Sequence, residues 1–363
     1  MNFQFIIIFI LSLIIFFISL ISLKVFIRFV AHTGFIDTPD HRSNHSIITP
    51  SSAGIPVFIA IALSSMFLSP EIFHNYTTTA FGIFLIFLLG AYDDLKDIRA
   101  RYKVIIIALV TVLSCWDGIV IMNAGTYFGY TIPLTWLAIP LTLFSVLGFT
   151  NALNLIDGVD GLAGTISIII LGSLWSIGYQ NNDLFLMGLP ILIIPALLAF
   201  LIYNWYPAKI FMGDSGSLTL GFVISLLSIK ALEYVNPIVM LFLIAIPVID
   251  TFVIISRRRM YGQSIFHPDK NHAHHVLYNY FKGNVKMTVI VIALLQLVYT
   301  ILGMTLVKIM PQAVTLPFFL LTVVAWYFVL TRLCDNHPEL MRKRSLRKKG
   351  AFFQSDQSKK VKI

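Results

Sequence analysis

The stretch Asn151-Ala-Leu-Asn154-Leu-Ile-Asp157-Gly158-Val-Asp160-Gly161-Leu162 places two amides and two carboxylates in a chain that is otherwise mostly apolar. Such side chains are costly near a bilayer unless they are paired or functional. Their oxygens are the hard ligands that magnesium prefers. Asn151, Asn154, Asp157 and Asp160 step by three. On a straight α-helix each such step falls about 60° short of a full turn, so the four side chains cannot share one face. Gly158 and Gly161 therefore predict that a helix ends here and that the chain folds back over a site. A polar turn between two spans is the plainer alternative. It accounts for the Asp and Gly residues but not for the two asparagines ahead of them.

Four further segments carry polar chemistry. Asp93-Asp94-Leu-Lys96-Asp97-Ile-Arg99-Ala-Arg101-Tyr-Lys103 puts adjacent carboxylates ahead of basic residues. Paired carboxylates favour a cation, and the cations that follow suit phosphate oxygens, a combination that phosphoryl transfer requires. For the pair alone, a solvated acidic helix end neutralised by Lys96 and Arg99 serves equally well. In Phe211-Met-Gly213-Asp214-Ser215-Gly216-Ser217, Ser215 or Ser217 fits a helix cap, while Asp214 between glycines suits a metal better than a cap. Arg257-Arg258-Arg259, His267, Lys270 and His272-Ala-His274-His275 form a basic stretch. Three crowded histidines without a nearby cysteine fit zinc poorly, and a cationic rim for a diphosphate or sugar fits better. The remaining segment runs from Asp37 through Arg42 and His45 to Gly54. Asp250, after Pro247, reads equally as an acid paired with a basic neighbour or as a support for ligand-binding residues.

The elements that must position these residues are membrane helices. The chain of 363 residues is 58% hydrophobic and 12% charged, with a mean hydropathy of +0.86. The expected fold is an all-α polytopic bundle of about eleven spans, each able to cross about 30 Å of hydrocarbon. They fall at roughly 4–29, 54–70, 78–92, 104–122, 132–150, 162–179, 184–203, 216–232, 237–256, 286–307 and 314–332. Lysines and arginines collect in alternate loops, which puts the N-terminus outside and the C-terminus in the cytoplasm. All the polar segments then face the cytoplasm, and the outer loops, that around 123–131 included, are short and chemically plain. Residues 1–332 form a transmembrane catalytic domain and 333–363 a basic cytoplasmic tail. The net charge of +9 sits largely in that tail and implies contact with anionic membrane lipid, not nucleic acid. Cys115 and Cys334 lie towards opposite sides, so no disulfide is expected.

The order Asp-Asp, Asn-x-x-Asn-x-x-Asp-Gly-x-Asp-Gly, Met-Gly-Asp-x-Gly-Ser, His-x-His-His resembles the polyprenyl-phosphate N-acetylhexosamine-1-phosphate transferases. The nearest likeness is to the bacterial undecaprenyl-phosphate N-acetylglucosamine-1-phosphate branch. The likeness runs from Asp37 to His275. It implies transfer of an N-acetylhexosamine-1-phosphate, GlcNAc-1-phosphate favoured, from a UDP-N-acetylhexosamine to undecaprenyl phosphate in the bacterial inner membrane. It also implies Mg2+, with Mn2+ as a substitute, and a homodimer. Carried over by position, Asp93, Asp94, Asp157 and Lys103 are catalytic, and Asn154 and Asp214 bind metal. Asn151, Asp160, Arg257, Arg258, Arg259, His272, His274 and His275 bind substrate. The chain departs from the family pattern at Arg42-Ser-Asn-His45 and at Ala53-Gly54. Two other classes compete. An ion-coupled transporter predicts acids near mid-membrane and a repeated bundle. An integral prenyltransferase predicts Asp-rich motifs but gives no reason for the histidines.

Overall fold

The computed structural model of this chain describes residues 3–30, 35–37, 49–65, 75–260, 262 and 272–335. In hydrocarbon the backbone has no polar partner but itself, so long apolar stretches become helices. They are α1 (Phe3–Phe29), α2 (Gly54–Ser65), α3 (Thr77–Lys96), α4 (Ala100–Trp116), α5 (Ala138–Ile156), α6 (Leu162–Asn181) and α7 (Leu184–Asn204). Then follow α8 (Gly213–Ala231), α9 (Pro237–Leu243), α10 (Ala245–Met260), α11 (Ala273–Tyr280), α12 (Val285–Ile309) and α13 (Gln312–Asp335). Seven of the described helices are long and apolar enough to cross a membrane, or eight if α9 and α10 act as one. The protein is a polytopic helical membrane protein. Each expected span overlaps a helix or the α9–α10 pair, but α4 ends at Trp116, α5 begins only at Ala138, and α2, α4 and α8 do not meet that measure of length and hydropathy by themselves.

Helix α8 organises the bundle. It is buried along nearly its whole length and packs against α2, α3, α5, α6 and α7. Its small first-turn residues let neighbours approach at backbone distance. A Cβ on Gly54 would fall 2.1 Å from the Gly216 nitrogen, and one on Gly90 would lie 2.4 Å from the Asp214 carbonyl oxygen. Glycine alone tolerates such contacts. They bring the starts of α2 and α8 and the end of α3 to one place.

The expected single span over 237–256 is broken. Helices α9 and α10 meet at 86° around Ile244. Pro247 is the physical cause: it lacks the N–H that would bond the Leu243 carbonyl, and its ring crowds that carbonyl. Buried Gln296 of α12 makes good the loss, donating to the Leu243 carbonyl at 2.7 Å and accepting from the Ile246 N–H at 3.0 Å.

Two small antiparallel sheets complete the described chain. Strand β1 (Ile36–Asp37) pairs with β2 (Thr49–Pro50), with Ile36 opposite Pro50. Strand β3 (Asn123–Tyr127) pairs with β4 (Tyr130–Pro133), with a bulge between Asn123 and Thr126. The loop around 123–131, expected to be plain, is thus a hairpin. Phe128 and Gly129, at φ 52° and 85°, make the two-residue turn whose left-handed backbone suits the twist of paired strands.

Candidate active site

Adjacent residues on a helix point about 100° apart, so Asp93 and Asp94, in the last turn of α3, do different work. Asp94 accepts from the Asp214 N–H at 2.7 Å and the Ser215 N–H at 3.2 Å. It therefore caps α8 from another helix, with its charge on the positive end of the α8 dipole. The expectation that Ser215 or Ser217 caps is corrected. Both lie inside the helix, and the Ser217 hydroxyl donates back to the Gly213 carbonyl at 3.0 Å. Because the cap comes from α3, α8 starts at Gly213 instead of near 216, and Asp214 stands in its first turn. Gly213 sits at φ 73° with the Asp94 carboxylate where a Cβ would be.

Asp214 is the hub of the site. Lys103 of α4 donates to Asp214 Oδ2 at 2.6 Å and to Asp93 Oδ2 at 2.5 Å. Asn154 of α5 donates to Asp214 Oδ1 at 2.9 Å and to the Ser217 hydroxyl at 2.8 Å. Asp93 Oδ1 also accepts from the Ile98 N–H at 2.6 Å, which fixes the turn between α3 and α4. Lys96, Asp97, Arg99 and Arg101 are exposed. The solvated-helix-end reading thus fits those four residues and fails for the acidic pair.

Helix α5 ends at Ile156, and the chain turns through Gly161 at φ 80°, as the three-residue steps predicted. Asp157 follows the helix directly. Burial pushes its carboxyl well above the usual carboxylate range, and the nearby carboxylates of Asp214, Asp94 and Asp160 push it the same way. Asp160 accepts from the Ala208 N–H at 2.9 Å. Asn204, to which the sequence attached no role, accepts from the Gly161 N–H and donates to the Ile210 carbonyl, both at 2.8 Å. These bonds fasten the turn after α5 to the chain ahead of α8. The residues before α2 are laced to the same chain, since Phe211 donates to Pro50, and Ala53 and Gly54 donate to Phe211 and Met212. Asn151 is exposed on α5.

The histidine segment crosses the turn after α5. A Cβ on Gly158 would sit 3.0 Å from His274 Nε2. Burial holds the His274 imidazole well below its usual pKa, and His275 and His272 add to the effect. The His272 and His274 rings stack at 5.5 Å, and those of His274 and His275 lie at 4.3 Å. His272 Nδ1 is 2.8 Å from Asp250 Oδ2, a contact that fits both readings of Asp250. The arginine triplet does not form one rim. Helical geometry spreads it, leaving Arg257 buried, Arg258 half-buried and Arg259 exposed. Arg257 Nη1 has no hydrogen-bond partner among the described residues. Arg42, His45, His267, Lys270 and the tail from 336 lie outside the described residues.

Among the described residues no three His, Cys, Asp or Glu side chains stand ready as a metal cluster. The Lys103 ammonium lies between Asp93 and Asp214 instead. The donor chemistry nonetheless suits a hard cation, because Asp157 is crowded by three other carboxylates whose repulsion a divalent ion would relieve.

Relatives place this geometry in a family. Residues 76–232 match the profile of glycosyl transferase family 4. The chain is 33% identical over 284 residues to a probable undecaprenyl-phosphate N-acetylglucosaminyl 1-phosphate transferase of Bacillus subtilis, covering 77% of this chain and 79% of that protein. This chain belongs to glycosyl transferase family 4. It is also 31% identical over 254 residues to the undecaprenyl-phosphate alpha-N-acetylglucosaminyl 1-phosphate transferase of Yersinia pestis, covering 67% of this chain and 69% of the relative. A phospho-N-acetylmuramoyl-pentapeptide-transferase of Clostridium beijerinckii is 31% identical over 246 residues, 62% of this chain and 73% of its own. The stretch matched to glycosyl transferase family 4 holds the hub from Asp93 to Ser217, whereas α10 and α11 lie beyond it.

Proposed function

We propose that the protein transfers N-acetylglucosamine-1-phosphate from UDP-N-acetylglucosamine to undecaprenyl phosphate, releasing UMP. The convergence of Asp93, Lys103, Asn154 and Asp214 from four helices on one carboxylate hub carries the reading. An oxygen of the acceptor phosphate attacks the β-phosphorus of the donor. The bond from that phosphorus to the bridging oxygen breaks, and UMP leaves with the electron pair. A phosphate monoester is largely dianionic near neutrality, with a second pKa of about 6, so it hardly needs a base. The chain's task is to offset repulsion between two anions. Lys103 supplies a fixed cation, Arg257 a buried guanidinium whose Nη1 has no partner among the described residues, and His274 lies over the turn after α5. Asp94 holds the start of α8, and with it Asp214, in place. Asp214, Asp157 and Asn154 are the residues that would hold Mg2+. When bound, that ion would neutralise the diphosphate and the departing UMP.

The finer topology follows from the same reading. All eleven expected spans, α9 and α10 taken as one, cross the bacterial inner membrane, with the N-terminus outside and the hub on the cytoplasmic side. Exposed Trp116 and Trp136, at the hub-distant ends of α4 and α5, suit an outer interfacial belt. The acids of the hub sit at helix ends, not at mid-membrane, which disfavours an ion-coupled transporter.

The test is purified protein with undecaprenyl phosphate, Mg2+ and a panel of UDP-sugars, with UMP measured. UMP is expected from UDP-N-acetylglucosamine and only in the presence of the lipid phosphate. Asp214→Asn should abolish release while the protein stays folded. Near-normal turnover in that variant sinks the metal assignment.

A further inference from the structure

We infer that Asp250 is a positioning residue for the donor nucleotide-sugar, acting through His272. The inference rests on the reading proposed above. Asp250 lies in α10, 2% exposed, and none of the polar motifs contains it. A carboxylate so enclosed is costly unless its oxygens are satisfied. Both are: Oδ2 meets His272 Nδ1 at 2.8 Å, and Oδ1 accepts from the Ala273 N–H at 2.7 Å. Two consecutive residues at the start of α11 are thereby held by one side chain.

The consequence for the imidazole is specific. The carboxylate is the acceptor, so Nδ1 carries a hydrogen, and the ring is held by that bond and by stacking on His274. Nε2, on the far side of the ring, is turned away from Asp250, an acceptor for a sugar hydroxyl while the ring is neutral and a donor to a diphosphate oxygen when the ring is protonated. The Pro247 break supplies the rest of the geometry. It swings α10 by 86° relative to α9, and from α10 the Asp250 side chain reaches the start of α11. Asp250 therefore prepares His272 to meet the diphosphate or sugar of the donor, and has no part in holding the lipid acceptor.

The test compares wild type, Asp250→Asn, His272→Ala and the double variant for UMP release, titrating UDP-N-acetylglucosamine and undecaprenyl phosphate separately. Asn keeps an oxygen for Ala273 but offers an N–H to Nδ1, so the ring hydrogen shifts to Nε2. The expected result is a rise of about tenfold or more in KM for the donor, an unchanged KM for the lipid, and a double variant no worse than His272→Ala alone. A purely structural role would lower kcat or folded yield without favouring one substrate, and losses that multiply in the double variant overturn the inference. If Asp250→Asn does not fold, Asp250→Glu keeps the charge, displaces it by one methylene and should shift the donor KM in the same direction. Wild-type protein that releases no UMP from any UDP-N-acetylhexosamine refutes the proposed function and this inference with it. Wild-type turnover matched by Asp250→Asn refutes only the inference.

Discussion

Lys103→Met removes the cation shared by Asp93 and Asp214. Two charge-assisted hydrogen bonds vanish, at 2.5 and 2.6 Å. Each such bond contributes about 1.5–3 kcal/mol, so their sum is about 3–6 kcal/mol. Side-chain exposures of 21% for Lys103, 7% for Asp93 and 24% for Asp214 let water recover part of this. The net loss should be about 3 kcal/mol, with two carboxylates left facing each other. Thermal unfolding in detergent measures that loss, and UMP release measures the catalytic one. Turnover should fall by about 100-fold to 1000-fold, the scale for removing one fixed electrostatic partner of a transition state. Adding Asp93→Asn to Lys103→Met removes the repulsion. The double variant should regain stability without regaining turnover. Turnover of Lys103→Met within about fivefold of wild type would refute a role for Lys103 in charge stabilisation. A double variant as unstable as the two single losses added together would show that the two carboxylates do not share it.

Three further outcomes follow from the geometry. Gly54→Ala should cost about 3 kcal/mol or more, because its Cβ meets the Gly216 backbone at 2.1 Å. Gly148→Ala, with nothing within 4 Å, should gain about 0.5–1 kcal/mol, and melting curves compare the two. Asp94→Ala should lose about 1–3 kcal/mol of thermal stability by uncapping α8, and Asp94→Asn distinctly less, since Asn caps comparably. The His274 imidazole is held below its usual pKa of 6.5 in the folded chain, so the unfolded chain binds more protons below that pH. Its contribution to stability is present above 6.5 and is lost as pH falls towards the folded value. The unfolding free energy should drop between about pH 7 and 5, by at most about 1.4 kcal/mol per pH unit, the melting temperature should fall with it, and His274→Gln should flatten both.

Much of the scaffold was legible in the chain because hydrocarbon leaves few options. Apolar stretches at membrane length must satisfy their own backbone, so a helix stands within the described part of each expected stretch, though only seven, or eight with α9 and α10 as one, are long and apolar enough to span. The end of α5 was legible too, since residues stepping by three cannot stay on one face of a straight helix. Pro247 was visible, but the 86° bend depends on Gln296 arriving from α12 to satisfy what the break exposes. The hairpin at 123–133 went unread because its turn is Phe-Gly instead of the commoner Asn-Gly.

What the sequence determined alone was a membrane bundle and the set of side chains fit for phosphate and metal chemistry. Residue type and helical period suffice for that, being local properties. What only the tertiary structure decided was the division of labour among them. Asp93 and Asp94 are chemically identical neighbours, yet one grips Lys103 and the other caps α8, because a helix turns them towards different partners 10 and 120 residues away. The three arginines likewise part into buried, half-buried and exposed. Asp250 gained a partner 22 residues away that no local pattern marks. Long-range partners set each group's electrostatics, and the chain must fold before any of them is in reach.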